Sequence, residues 1–72
     1  MTRGSWHRLI AEASALLGDA GVTSPTSDAR ELAEFAAGVR RLPAADPTPD
    51  ERAAFSRAVA RRAAREPLQH IT

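Results

Sequence analysis

The stretch Thr48–Glu66, "TPDERAAFSRAVARRAARE", decides the fold. Its first four residues make a complete helix-start signal. Thr48 can cap with its hydroxyl, Pro49 takes the first helical position, where a missing N–H costs nothing, and Glu51 can reach back to the Thr48 N–H. Behind that signal Phe55, Ala58, Val59 and Ala63 recur at three- and four-residue steps and define an inner face. Arg57, Arg61 and Arg65 fall at i, i+4 and i+8 as an outer stripe of cations, with Arg62 at the edge of the apolar face. The spacing predicts a helix from Pro49 to about Arg65.

The same reading extends toward the N-terminus. In "SWHRLIAEASALLGDAG" the residues Trp6, Leu9, Ile10, Ala13, Leu16 and Leu17 share one helical face. Ser5 or Thr2 supplies the cap, and Gly18 or Gly21 the stop. "SPTSDARELAEFAAG" has Ser24 as N-cap and Pro25 at the first position. Ala29, Leu32, Ala33, Phe35, Ala36 and Val39 form its apolar stripe, and Gly38 ends it. Asp28 and Glu31 lie near the positive end of that helix dipole, and Arg40 and Arg41 beyond its negative end. Pro43, Pro47 and Pro49 forbid a long helix through the next connection, leaving room for a single turn at Val39–Leu42. After Pro67, Leu68 and Ile71 are spaced as one short turn folded back on the bundle would place them. No stretch alternates with period two. The expected fold class is all-α, a small bundle of three main helices plus one or two short helical turns.

Composition agrees with one small domain. Alanine, the strongest helix former, dominates the 72 residues, and the absence of cysteine excludes disulfides and thiolate metal sites. A net charge of +1 argues against a dedicated nucleic-acid binder, whose affinity rests on a basic excess. No apolar run approaches the roughly 20 residues of a membrane span, and the N-terminus lacks a signal-peptide core, so a cytoplasmic protein is expected.

Catalytic chemistry is hard to place on this chain. His7 and His70 lie at opposite ends without metal-ligand spacing, and no phosphate-binding glycine loop or nucleophile elbow occurs. Asp28/Glu31 and Asp50/Glu51 read as helix-start residues, and Trp6 as a core anchor. No catalytic, cofactor-binding or metal residue is assigned to these 72 residues. The one surface that could dock an anionic partner is the stripe Arg57, Arg61 and Arg65, with Arg40 and Arg41. A solvated charged face is the ordinary account of such a stripe.

Two segments carry a resemblance. One is Ser24, Pro25, Asp28, Ala29 and Arg30; the other is Arg61, Arg62 and the closing run Glu66, Pro67, Leu68, Gln69, His70, Ile71 and Thr72. With the early tryptophan and leucines, the chain resembles the N-terminal domain of the release-factor glutamine methyltransferases, the PrmC/HemK family. The alanine- and arginine-rich composition suits a high-GC bacterium such as an actinobacterium. The resemblance implies a helical substrate-recognition domain over 1–66, with 67–72 starting the linker towards a catalytic methyltransferase domain outside this chain. That domain would carry the S-adenosylmethionine site and an Asn-Pro-Pro-Tyr motif. It would methylate the glutamine of the Gly-Gly-Gln motif in class-1 peptide chain release factors at N5. The implied partners are the release factor and the chain's own catalytic domain, with a monomer expected and neither membrane nor nucleic acid. Two other readings stay open: a stand-alone helical interaction module, and a small RNA-binding module using the arginine stripe.

Overall fold

The computed structural model describes residues 5–39 and 46–72. Four helices follow one another, α1 (Trp6–Asp19), α2 (Pro25–Ala37), α3 (Pro49–Ala63) and α4 (Leu68–Ile71), and no strand occurs among the described residues. The chain is an all-α bundle of three main helices and one short one. Arg40 and Arg41, and with them most of the turn expected at Val39–Leu42, lie outside the described residues.

Local chemistry sets the helix starts. At α3 the capping box closes in both directions: the Thr48 N–H donates to Glu51 Oε1 at 2.9 Å, and the Glu51 N–H donates to Thr48 Oγ1 at 3.1 Å. Such a box is worth about 1 kcal/mol. Ser5 caps α1 by accepting from the Arg8 N–H at 3.3 Å. At α2, Pro25 takes the first position as expected, but the Ser24 side chain makes no capping bond. At the second helical position, Thr26 Oγ1 instead meets Ser14 Oγ of α1 at 2.6 Å, so a tertiary bond holds this start.

The core combines large and very small side chains. Leu17 and Leu32 are fully buried, and Ala13, Ala29, Ala33 and Ala58 are buried beside them, so the helices can approach closely. Burying each leucine contributes about 1.5–3 kcal/mol. Trp6 and Phe55 meet edge to face, with ring centroids 5.7 Å apart at 86°, and tie the start of α1 to the middle of α3. Val22, Val59 and Ile71 complete the core, with Leu68 half-buried against it. The closing segment after Pro67 therefore folds onto the bundle.

Three apolar residues depart from their expected burial. Leu16, Phe35 and Val39 are 50%, 48% and 42% exposed. The apolar face of α1 is wider than the core that receives it: the helix packs chiefly on α2 and meets α3 over less surface. Leu16 is thus left on the wall of an open cleft with Leu9, Ala13, Phe55 and Val59. Phe35 and Val39 lie where α2 ends, beside Thr72. The third helix also stops at Ala63, short of Arg65, because Arg65 turns left-handed. Among the described residues, no helix is long and apolar enough to cross a membrane.

Candidate functional site

Arg61, Arg62 and Arg65 gather where α3 ends, and the backbone there explains their positions. The Glu66 N–H donates to the Arg61 carbonyl at 3.2 Å and the Arg65 N–H to the Arg62 carbonyl at 3.0 Å. This nested pair of bonds is a Schellman turn, which needs a left-handed residue at the position of Arg65. Arg65 supplies it at φ 72°. For a side chain with a Cβ that conformation costs about 1–2 kcal/mol.

Each guanidinium at this end reaches a different element. Arg65 Nε donates to the Ala20 carbonyl just past α1, at 3.0 Å. Arg62 Nε donates to Asp28 Oδ2 in the first turn of α2, at 2.9 Å, while its Nη1 donates to the Glu66 carbonyl at 3.1 Å. Arg61 Nη2 donates to the His70 carbonyl of α4 at 3.2 Å and pairs with the Glu66 carboxylate. One helix end thus holds α1, α2 and α4 together. The Arg62–Asp28 pair is the most enclosed of these contacts, with side chains 21% and 14% exposed. Asp28 and Arg62 belong to the two separate segments that carry the family resemblance, and they bond across 34 residues of chain.

The expected stripe is therefore divided by its contacts. Arg57, Arg61 and Arg65 are all exposed, as the periodicity predicts. Arg57 alone of the three makes no hydrogen bond or ion pair among the described residues. Arg61 and Arg65 each commit donors to backbone carbonyls, although a guanidinium has five N–H groups and retains others. Arg40 and Arg41 lie outside the described residues and are not placed relative to the rest. Periodicity also passed over Arg62 as an edge residue, although it forms the most enclosed ion pair. Its signal was its position, since a cation on the rim of an apolar face needs an anion on the neighbouring helix. His7 and His70 are both exposed and far apart in the chain. No group of three or more potential metal ligands assembles among the described residues.

Comparison with known proteins places this architecture. The family model for the PrmC N-terminal domain matches residues 8–72. The release factor glutamine methyltransferase of Streptomyces coelicolor is 52% identical over 64 residues, covering 88% of this chain and 23% of the relative. Those of Corynebacterium glutamicum and Mycolicibacterium smegmatis are 49% and 46% identical, each over 86% of this chain and 23% of the relative. All three organisms are actinobacteria. The chain spans about a quarter of the length of these curated relatives. No solved structure matches it. With the matched region running from the first turn of α1 through Thr72, the chain belongs to the PrmC N-terminal domain family.

Proposed function

We propose that this chain is the release-factor-recognition domain of a protein-(glutamine-N5) methyltransferase. The enzyme would act in the cytoplasm on the Gly-Gly-Gln glutamine of class-1 release factors, with S-adenosylmethionine as methyl donor. The observation that carries the reading is the family match over residues 8–72, supported by relatives that are named release factor glutamine methyltransferases. The 72 residues contain no asparagine and hence no Asn-Pro-Pro-Tyr motif. We assign them no step of methyl transfer. Their part is binding: contacts away from the reacting amide orient the substrate and lower the entropic cost of bringing it to the catalytic domain. Residues 1–66 form the recognition domain in this reading, and 67–72 begin the connection onward. The protein works as a monomer whose partners are the release factor and its own catalytic domain.

We propose Arg57, Arg61 and Arg65 as docking residues, together with Arg40 and Arg41 of the connection after α2. The bonds at the end of α3 dictate how to test it. A variant lacking Arg61 and Arg65 would lose contacts that hold the bundle, so weak binding by it would not separate docking from folding. Arg57→Glu, alone and with Arg40→Ala and Arg41→Ala, avoids that confusion. Calorimetric titration against a class-1 release factor from the same organism should give saturable binding that weakens at least threefold, by about 0.7 kcal/mol, in Arg57→Glu. Binding that ignores all three changes would retain the function and discard this surface. No binding by the chain, together with unchanged methylation by an enzyme lacking it, would overturn the recognition role.

A further inference from the structure

Where α2 ends, the surface of the bundle is apolar. Phe35 and Val39, both about half exposed, line an open hollow of about 590 Å³ with Gly38 between them. Glu31, Glu34 and Thr72 complete its lining. Among the described residues nothing covers these two large apolar side chains, unlike single exposed apolar residues, which are common on any surface.

Thr72 is held firmly at this edge. Its N–H and its Oγ1 both donate to the Leu68 carbonyl, at 3.0 and 3.1 Å, and the preceding Ile71 is buried in the core. The family description makes this an N-terminal domain, and the relatives are about four times as long. In a protein of that length, the residues after Thr72 begin at the hollow.

We propose that the segment immediately following Thr72 in the longer protein lies across Phe35 and Val39, so that the bundle is joined to the next domain by a docked strap and not by a free tether. This rests on the reading that the chain is the N-terminal domain of a longer methyltransferase. The strap carries an apolar side chain to cover Phe35 and Val39, and a cation or free N–H groups opposite Glu31 and Glu34. Docking of this kind fixes the direction in which the bundle presents its outer faces to whatever the catalytic domain holds.

The test uses the full-length protein and limited proteolysis of the residues after Thr72. Cleavage there follows the population in which the strap is open. Phe35→Glu puts a charge under the strap, and cleavage should accelerate about tenfold while the helical circular dichroism stays unchanged. Val39→Asp, placed beyond the end of α2, should do the same and carries the test if Phe35→Glu unfolds the bundle. An unchanged cleavage rate in a folded variant overturns the proposal. So does protection that rises with protein concentration, which assigns the patch to a second copy, or protection that appears only with a release factor. Reading the coding sequence past Thr72 separates the two ideas. Without a methyltransferase domain there, the functional reading fails; with one, an insensitive cleavage rate removes the strap alone.

Discussion

The ends of α1 and α3 share one backbone geometry and reach it with opposite chemistry. At α1 the Val22 N–H donates to the Leu17 carbonyl and the Gly21 N–H to the Gly18 carbonyl, both at 3.0 Å. This is the same Schellman pair that Glu66 and Arg65 make on Arg61 and Arg62. At α1 a glycine takes the left-handed position, at φ 88°, and the buried side chains Leu17 and Val22 flank the turn. At α3 an arginine takes that position, and the flanking residues are the ion pair Arg61–Glu66. The first end is anchored by the core, the second by polar bonds at its rim. Arg65 makes the two ends a single object: its guanidinium holds the Ala20 carbonyl, and a Cβ on Gly21 would fall 2.6 Å from its Nη2. Glycine at α1 is what lets arginine serve at α3.

If that comparison holds, the largest loss comes from the apolar anchor. Leu17→Ala removes a fully buried side chain from close-packed surroundings and should cost about 3–5 kcal/mol. A domain of this size has little more than that in total, so urea titration should find the variant largely unfolded in water. A loss below about 1 kcal/mol would mean that the α1 end does not depend on its core side.

The link between the ends is tested by Gly21→Ala. The left-handed backbone costs about 1–2 kcal/mol for alanine, and displacing the Arg65 guanidinium removes a further bond worth about 1 kcal/mol. Because part of that loss is shared, Gly21→Ala combined with Arg65→Ala should fall short of the sum of the single changes by about 0.5–1.5 kcal/mol. Strict additivity in the denaturation midpoints would show that the two turns do not communicate.

Arg62→Ala probes the polar side of the α3 end. It leaves the largely enclosed Asp28 carboxylate without its cation and frees the Glu66 carbonyl, for an expected loss of about 1–3 kcal/mol. The partner change Asp28→Asn keeps a hydrogen-bond acceptor and should cost less. Thermal melts of the two variants and of the pair would give their coupling directly.

These contacts mark where the fold was legible in the sequence and where it was not. The start of α3 could be read in full because a capping box uses only residues three apart, and the structure closes it as written. The stop at Gly38 was equally local: a glycine after an apolar stripe, found at φ 70° with its turn bonds in place. The stop at α3 was hidden because arginine disfavours the left-handed region, and the bond at its side chain reaches Ala20, 45 residues away in the chain. Helical periodicity placed Arg57, Arg61 and Arg65 on one outer face. It could not separate an arginine bonded to a carbonyl from one without such a bond, since that depends on the neighbouring helices. Leu16, Phe35 and Val39 lie on the apolar faces that spacing predicts and yet stay exposed for a related reason: spacing shows which face is apolar, but not how far the partner helix covers it. The segments that resemble the family were legible as pattern before their use was known. They contain Asp28, Arg61, Arg62, Glu66 and Ile71, which are the residues that fasten α2 and α4 to the end of α3.

The smallest expected effect falls on the residue that differs most between the two ends. Arg65→Gly makes the α3 turn chemically like the α1 turn, and two changes of similar size oppose each other. Relief of the left-handed backbone favours the variant by about 1 kcal/mol, less the entropy that glycine adds to the unfolded chain. Loss of the bond to the Ala20 carbonyl, made by a charged donor at an exposed site, disfavours it by about 1 kcal/mol. The net change should lie within about 0.5 kcal/mol of zero, whereas Arg65→Ala keeps the strain, loses the bond and should cost about 1 kcal/mol. Chemical denaturation of the two variants side by side decides which view of Arg65 is right. A clear gain for Arg65→Gly would mean that the arginine is held there at the expense of stability, and would turn attention to its free N–H groups as part of the docking face. A loss equal to that of Arg65→Ala would mean that the clasp on α1, and not the backbone, governs this end of the bundle.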